Sequence, residues 1–223
     1  MVDLDFREGL SLAKGKYPGL NPRREVADGI VREYDMPVTM RDGARIYVNV
    51  FRPEQAGTYP VLIAWAPYGK HGRIKYRYFP HCGVCDSDLS ELAIFEAADP
   101  AYWCPHGYAV VYADPRGAWG SEGDLTLCSP QEAEDGYDLV EWAGSQSWSQ
   151  GRVGLHGVSY LAWSQWKIAA LNPPHLAAIN PWEGVSDFYR EMAFHGGIPE
   201  TAFLRMWLPS VSFTATRVED MLR

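Results

Sequence analysis

The apolar run Val153–His156 ends in Gly157-Val158-Ser159-Tyr160-Leu161-Ala162 and leads on through Trp163–Leu171, a helix-forming stretch. A serine at the corner where a strand turns straight into a helix is held in a strained backbone conformation. That conformation aims its side chain out of the sheet's carboxyl edge instead of into the core. Small neighbours are needed there, and Gly157 supplies one. The hydroxyl becomes an effective nucleophile only when a base takes its proton and donors receive the charge developing on the attacked carbonyl. The chemistry suggested by this spacing is therefore acyl transfer through Ser159, with base and donors supplied from elsewhere in the chain.

The elements needed to hold such a corner can be read around it. Val31–Met40 alternates weakly, Arg41-Asp42-Gly43 is a hairpin turn signal, and Ala44–Phe51 alternates apolar with polar as a half-buried strand does. Tyr59–Tyr68 and Tyr108–Asp114 are continuous apolar runs closed by turn residues, the pattern of strands covered on both faces. Pro130–Gly144 begins with a proline after Ser129, has acids in its first turn and spaces Tyr137, Val140 and Trp142 near the helical period, which predicts a helix. Leu176–Trp182 reads as a further strand. Residues 1–30 read as a polar lead-in with room for one short helix, 31–185 as the core, and 186–223 as a mostly helical cap opening. Strands alternating with helices after an antiparallel start predict an α/β fold whose mostly parallel sheet is covered on both faces. Its strand ends bring Tyr68, Asp114 and Ser159 to one edge, where such sheets carry their sites.

At 223 residues, 47% hydrophobic and 22% charged, the chain can bury one sizeable core. A net charge of −8 and the lack of any basic cluster longer than Arg23-Arg24 argue against a nucleic-acid partner. The start MVDLDFREGL carries carboxylates where a secretory signal needs a basic end. No run approaches the roughly 18 apolar residues of a membrane span. The expected location is the cytoplasm, with no membrane partner. Four cysteines, Cys82, Cys85, Cys104 and Cys128, fit a reducing compartment. Cys82 and Cys85 beside His81 have metal-ligand spacing, but a structural zinc site wants a second tight pair, so no metal or cofactor is expected.

The segments RDGARIYVNVFRP, YPVLIAWAPYGK, GYAVVYADPRGAWGSEG, EAEDGYDLVEWAGSQSWSQGRVGLHGVSY and LNPPHLAAINPWEGVSDFYRE span nearly all of residues 31–200. In type, order and spacing this series resembles the α/β-hydrolases that include cocaine esterase, the glutaryl and α-amino-acid ester acylases and the X-prolyl dipeptidyl peptidases. The resemblance implies an α/β-hydrolase core and an acyl-enzyme mechanism on small-molecule ester or amide substrates. It makes Ser159 the nucleophile, the Tyr160 backbone N–H one oxyanion donor and the Tyr68 hydroxyl the other. It also implies that Asp114 and Arg116 shape the loop beneath the site. Two departures bear on fine geometry: Trp119 and Ala162 stand where the resembled pattern carries glycine. Trp65, Trp182 and a cap tryptophan are candidates to line an acyl pocket.

The base and acid are harder to find. In the resembled fold the acid and histidine follow the serine on loops after later strands, and 64 residues (223 − 159) follow Ser159 here. Asp187 and His195 are in the right order. Only eight positions apart, however, they cannot occupy successive strand-end loops, whose crossover takes a dozen or more residues. His175 lies in a turn, and His156 reads as a core or edge residue. The chain thus reads as the amino-terminal portion of a longer hydrolase, incomplete in its triad, and three origins fit: a truncated gene product, a fragment, or a subunit completed by a partner. The expected activity is ester hydrolysis, with X-prolyl peptidase or amino-acid ester acylase as alternatives and a non-catalytic fragment needing a complementing chain as another. If Leu176–Trp182 is the last strand, its open edge and the apolar cluster Phe203, Leu204, Met206, Trp207, Leu208 predict self-association or pairing with the remainder.

Overall fold

The computed structural model describes residues 4–6, 19–74, 83 and 85–215. The elements in chain order begin with β1 (Leu4–Phe6), β2 (Arg23–Ala27), β3 (Ile30–Thr39), β4 (Arg45–Pro53), β5 (Tyr59–Trp65) and β6 (Gly72–Ile74). They continue with α1 (Pro100–Trp103), β7 (Ala109–Asp114), α2 (Pro130–Gly144), β8 (Ser149–Val158), α3 (Tyr160–Ala170) and β9 (Leu176–Trp182). A small hairpin, β10 (Phe194–His195) with β11 (Ile198–Pro199), precedes α4 (Phe203–Ala215). The main sheet has the order β2-β3-β4-β7-β5-β8-β9. Pairing is antiparallel from β2 to β7 and parallel from β7 through β5 and β8 to β9.

The strands of the sheet centre read as unbroken apolar runs because both of their faces are covered. Alternate residues go to different cores: Val61, Ile63, Trp65, Val111 and Ala113 join Leu139, Val140 and Ala143 of α2. Ala64, Ala66, Val110 and Tyr112 meet Leu92, Ala98 and Cys104 on the opposite face. The two-residue period of a strand thus divides one apolar run between two layers. The α2 helix starts where its sequence says, with Ser129 Oγ accepting from the Glu132 N–H at 3.1 Å and proline at its first turn.

Two regions differ from the sequence reading. Arg23–Ala27, within the expected lead-in, is an edge strand antiparallel to β3 instead of part of a short helix. Three of its five residues are charged and none is buried, so apolar periodicity could not reveal it; cross-strand pairing with β3 does the work. Residues 186–202 are less helical than expected, holding one π-helical turn at Tyr189–Ala193 and the β10–β11 hairpin before α4 begins. Within the cap cluster Leu204 is buried and Trp207 half-buried, whereas Met206 is 61% exposed. Cys82 and His81 lie outside the described residues. No group of three or more metal-ligating side chains gathers among the described ones.

Candidate active site

The backbone at Ser159 departs from both the strand before it and the helix after it, at φ 57° and ψ −119°. Strand β8 ends at Val158 and α3 begins at Tyr160, so Ser159 is the whole turn. Its N–H donates to Trp182 O at 2.9 Å and its carbonyl accepts from Ala162 N at 2.9 Å, which fixes the corner on both sides. Gly157 is needed for a stated reason: a Cβ there would lie 2.5 Å from Leu161 Cβ and 3.0 Å from the Glu96 carbonyl. The alanine at 162 fits because its neighbour is small. A Cβ on Gly184 would approach Ala162 Cβ to 2.7 Å, so glycine at 184 makes the space the methyl uses.

Tyr68 leaves the loop after β5 and turns its hydroxyl to the side chains of Ser159 and Trp207. Its ring lies edge-on to Tyr160 at 6.3 Å and to Phe95 at 5.4 Å. Burial raises the phenol's pKa well above the tyrosine norm, with the Glu96 charge adding to it, so the group stays a proton donor through the physiological range. Trp207 of α4 stacks on Tyr160 at 5.8 Å and meets Trp163 at 5.4 Å. It is the tryptophan of residues 186–223 that the sequence offered as a pocket-lining candidate, and it lies over Tyr160 beside the corner.

Behind the corner, Tyr160 is wholly buried and its hydroxyl donates to Glu132, 2.7 Å from each carboxylate oxygen. Glu132 also accepts from Trp65 Nε1 at 2.9 Å and from the Cys128 N–H at 2.6 Å. Trp65 is therefore part of the core and not of an acyl pocket. Trp182, 57% exposed, sits at the sheet edge. A cavity of about 570 Å³, within the range of small-molecule sites, is lined by Leu127, Cys128, Lys167, Ser186, Asp187, Phe188, Tyr189, Trp207 and Leu208, and meets the surroundings of the corner through Trp207, which stacks on Tyr160. Burial pushes the Cys128 thiol up to about 12, which keeps it protonated and unreactive at neutral pH.

The loop after β7 is fixed as the sequence reading expects. Arg116 grips Asp135 of α2 through two bonds of 2.7 Å. Trp119 takes a left-handed φ of 55°, held by its N–H to Ala215 O at 2.6 Å and its Nε1 to Pro67 O at 2.9 Å. The histidines go elsewhere. His175 bonds Glu141 at 2.8 Å and 2.9 Å, tying β9 to α2, and His195 is exposed in the β10–β11 hairpin. Asp187 pairs with Arg190, and among the described residues Ser159 has no histidine partner.

Glu96, whose carbonyl accepts from the Val158 N–H at 3.2 Å, stands against the corner. Burial raises its carboxyl to about 8, with Glu183 adding to the shift, which keeps one negative charge out of the site near neutrality. A carboxyl that holds its proton more tightly when folded stabilises the fold below its ordinary value of 4.5, and the contribution is lost as pH rises to about 8. Thermal unfolding across that interval is expected to show a flatter pH dependence in Glu96→Gln than in the parent. Equal slopes would mean that Glu96 ionises freely in the folded chain. Asp35 acts oppositely: burial alone would raise it, but the His71 bond and the Lys70 charge hold it well below the usual range. Its contribution is lost only as pH falls below the ordinary carboxylate value.

Comparison with known proteins identifies the family and the fold. A family model described as X-Pro dipeptidyl-peptidase (S15 family) matches residues 42–220. Cocaine esterase of Rhodococcus sp. (strain MB1 Bresler) is 34% identical over 153 residues, 69% of this chain and 24% of that protein. A putative Xaa-Pro dipeptidyl-peptidase of Bacillus anthracis is 26% identical over 181 residues, 71% of this chain and 30% of that protein. The crystal structure of a CocE/NonD family hydrolase from Staphylococcus aureus has a TM-score of 0.80 at 41% identity, covering 92% of this chain and 38% of that one. The chain therefore spans between 24% and 38% of the length of these relatives. With its doubly covered sheet, its corner serine and this match over most of its length, the chain belongs to the X-Pro dipeptidyl-peptidase (S15) family of α/β-hydrolases.

Proposed function

We propose that this chain carries the nucleophile side of a serine esterase site. Ser159 Oγ attacks the ester carbonyl, the C–O bond to the alcohol breaks, and an acyl-enzyme forms that water then hydrolyses. The Tyr160 backbone N–H and the Tyr68 hydroxyl receive the charge on the carbonyl oxygen. A single such donor is worth about 3–4 kcal/mol in a serine protease. The observation that carries this reading is the strained Ser159 corner with the Tyr68 phenol turned to it. The cavity beside Trp207 is the proposed acyl pocket. An ester is preferred over an X-prolyl amide or an amino-acid ester, since it needs no dedicated amine-binding cluster. No helix among the described residues is long and apolar enough to cross a membrane. We place the chain in the cytoplasm on the strength of its free thiols at Cys85, Cys104 and Cys128. Incubation with a fluorophosphonate probe is expected to label one site, Ser159, by peptide mapping, and Ser159→Ala is expected to abolish the adduct. Labelling at another residue, or none in a full-length form, would overturn the assignment.

A second reading, favoured by the lack of a histidine partner at Ser159 among the described residues, is that the base and acid come from residues beyond this set or from a complementing chain. Strand β9 supports it. This strand ends the sheet among the described residues, carries no charged side chain, and leaves Ala177, Ala178, Asn180 and Trp182 exposed. Such an edge pairs readily. Sedimentation velocity over a range of concentrations is expected to show self-association of the isolated chain. A single monomeric species with a cooperative thermal transition would count against this reading.

A further inference from the structure

Next to Tyr68 lies a buried charge cluster that the proposed chemistry does not itself use. Lys70 is 1% exposed, Asp35 and Asn49 are fully buried, Asp114 is 1% exposed and His71 is 4% exposed. Lysine is almost never buried without partners, because an ammonium loses its water at high cost. Here Lys70 Nζ reaches Asp114 Oδ2 at 2.7 Å and Asp35 Oδ1 at 2.9 Å. The Lys70 backbone N–H also donates to Asp114, at Oδ1 and 2.7 Å, so one carboxylate grips the residue at both ends. Asn49 Nδ2 donates to the Lys70 carbonyl at 3.2 Å, and His71 Nε2 lies 2.9 Å from Asp35 Oδ1.

The partners come from three strands. Asp35 sits at the irregularity in β3 where the register shifts between Glu33 and Met36, with φ 54°, and its N–H donates to Asn49 Oδ1 of β4 at 3.0 Å. Asp114 ends β7. Trp119 secures the other side of the loop, through its bond to the Pro67 carbonyl and by lying flush on Gly69, where a Cβ would come within 2.8 Å of the indole. Residues on both sides of Tyr68 are thus tied to the sheet, while Tyr68 itself is aimed at the corner.

Buried ion pairs contribute little net stability, since apolar residues of similar volume often replace them without loss. They do define geometry, and a donor aimed at a developing oxyanion needs geometry: a 1 Å displacement costs about 100-fold in rate. We propose that Lys70 is a positioning residue for the Tyr68 hydroxyl, its buried ammonium clamping the loop after β5 to Asp114 and Asp35 so that the phenol stays aimed at Ser159. The proposal rests on the reading of Tyr68 as an oxyanion donor.

Two measurements separate its failure from the failure of that reading. The first is the rate of fluorophosphonate labelling of Ser159 in the parent, Tyr68→Phe, Lys70→Met and the double variant. Lys70→Met is expected to slow labelling by about 100-fold, and the double variant is expected to be no slower than Tyr68→Phe alone. Fully additive losses, or a Lys70→Met rate within about twofold of the parent, would overturn the proposal. The second needs no activity and stands even if the parent does not label. It follows amide hydrogen exchange of peptides covering residues 66–71 and of β4 and β7, in Lys70→Met and in the near-isosteric Asp114→Asn. Faster exchange confined to 66–71 supports the clamp. Unchanged exchange, or uniform acceleration of the sheet in both variants, overturns it in favour of a purely structural ion pair.

Discussion

Replacing Ser159 with glycine is expected to remove every trace of probe labelling and at the same time make the chain more stable. The argument is a comparison of two magnitudes. Holding a non-glycine residue at φ 57° and ψ −119° costs about 1–3 kcal/mol, because Cβ crowds the flanking peptide groups. Glycine removes that crowding but brings a more flexible unfolded chain, which costs about 0.4–1 kcal/mol. The strain is the larger quantity, so Ser159→Gly should gain about 1 kcal/mol, a rise of about 2–4 °C in Tm for a chain of this size. Loss of the proposed nucleophile acts in the other direction on function; in a bacterial serine protease removal of the catalytic serine costs about 10⁶-fold in kcat. Differential scanning calorimetry beside probe labelling checks both halves. A variant with lowered Tm would show that Ser159 makes interactions worth more than its strain. On the proposed reading, stability at this corner is given up so that the hydroxyl stands clear of the sheet.

The largest loss of stability is expected from Glu132→Ala. Three donors converge on this carboxylate: Tyr160 hydroxyl, Trp65 Nε1 and the Cys128 N–H. The Tyr160 hydroxyl and Trp65 Nε1 lie where water cannot replace the missing acceptor, whereas the Cys128 N–H keeps the Tyr160 oxygen at 3.2 Å. Each orphaned donor costs about 1–3 kcal/mol. Against this, alanine relieves the chain of burying a carboxyl, whose pKa is raised by that burial despite its donors. Removing one member of a buried charged network typically costs about 3–5 kcal/mol, and that is the expected net loss by chemical denaturation. It is a large share of the about 5–15 kcal/mol that stabilises an ordinary domain. Glu132→Gln, which keeps one acceptor oxygen, should lose less, and Tyr160→Phe, which removes a single donor, less again. A loss below about 1 kcal/mol in Glu132→Ala would mean that desolvation of the carboxyl cancels its hydrogen bonds. Because Tyr160 opens α3 directly after Ser159, the destabilised variants should also label more slowly.

Local sequence alone determined the elements around the corner. Ser129-Pro130, the apolar run Tyr108–Asp114 and the Gly157-Val158-Ser159 turn encode a helix start, a covered strand and a strained bend in their own residues, because capping, period and steric need act within a few positions. The edge strand Arg23–Ala27 was not legible, since three of its five residues are charged, none is buried, and they become a strand only by pairing with β3. Nor was the accommodation of Ala162, which depends on Gly184 meeting it across the fold. The sequence pointed to Tyr68 and Ser159, but not to Lys70, Asp35 and Asn49, nor to Glu132 as the anchor of Tyr160. In the sequence these are ordinary polar residues; Glu132 reads as a helix-start acid and Asp35 as a strand residue. Tertiary structure decides their meaning. Folding removes their water, and groups 14 to 67 positions apart must then find one another, because an unpaired charge in that interior would cost more than the fold can spare.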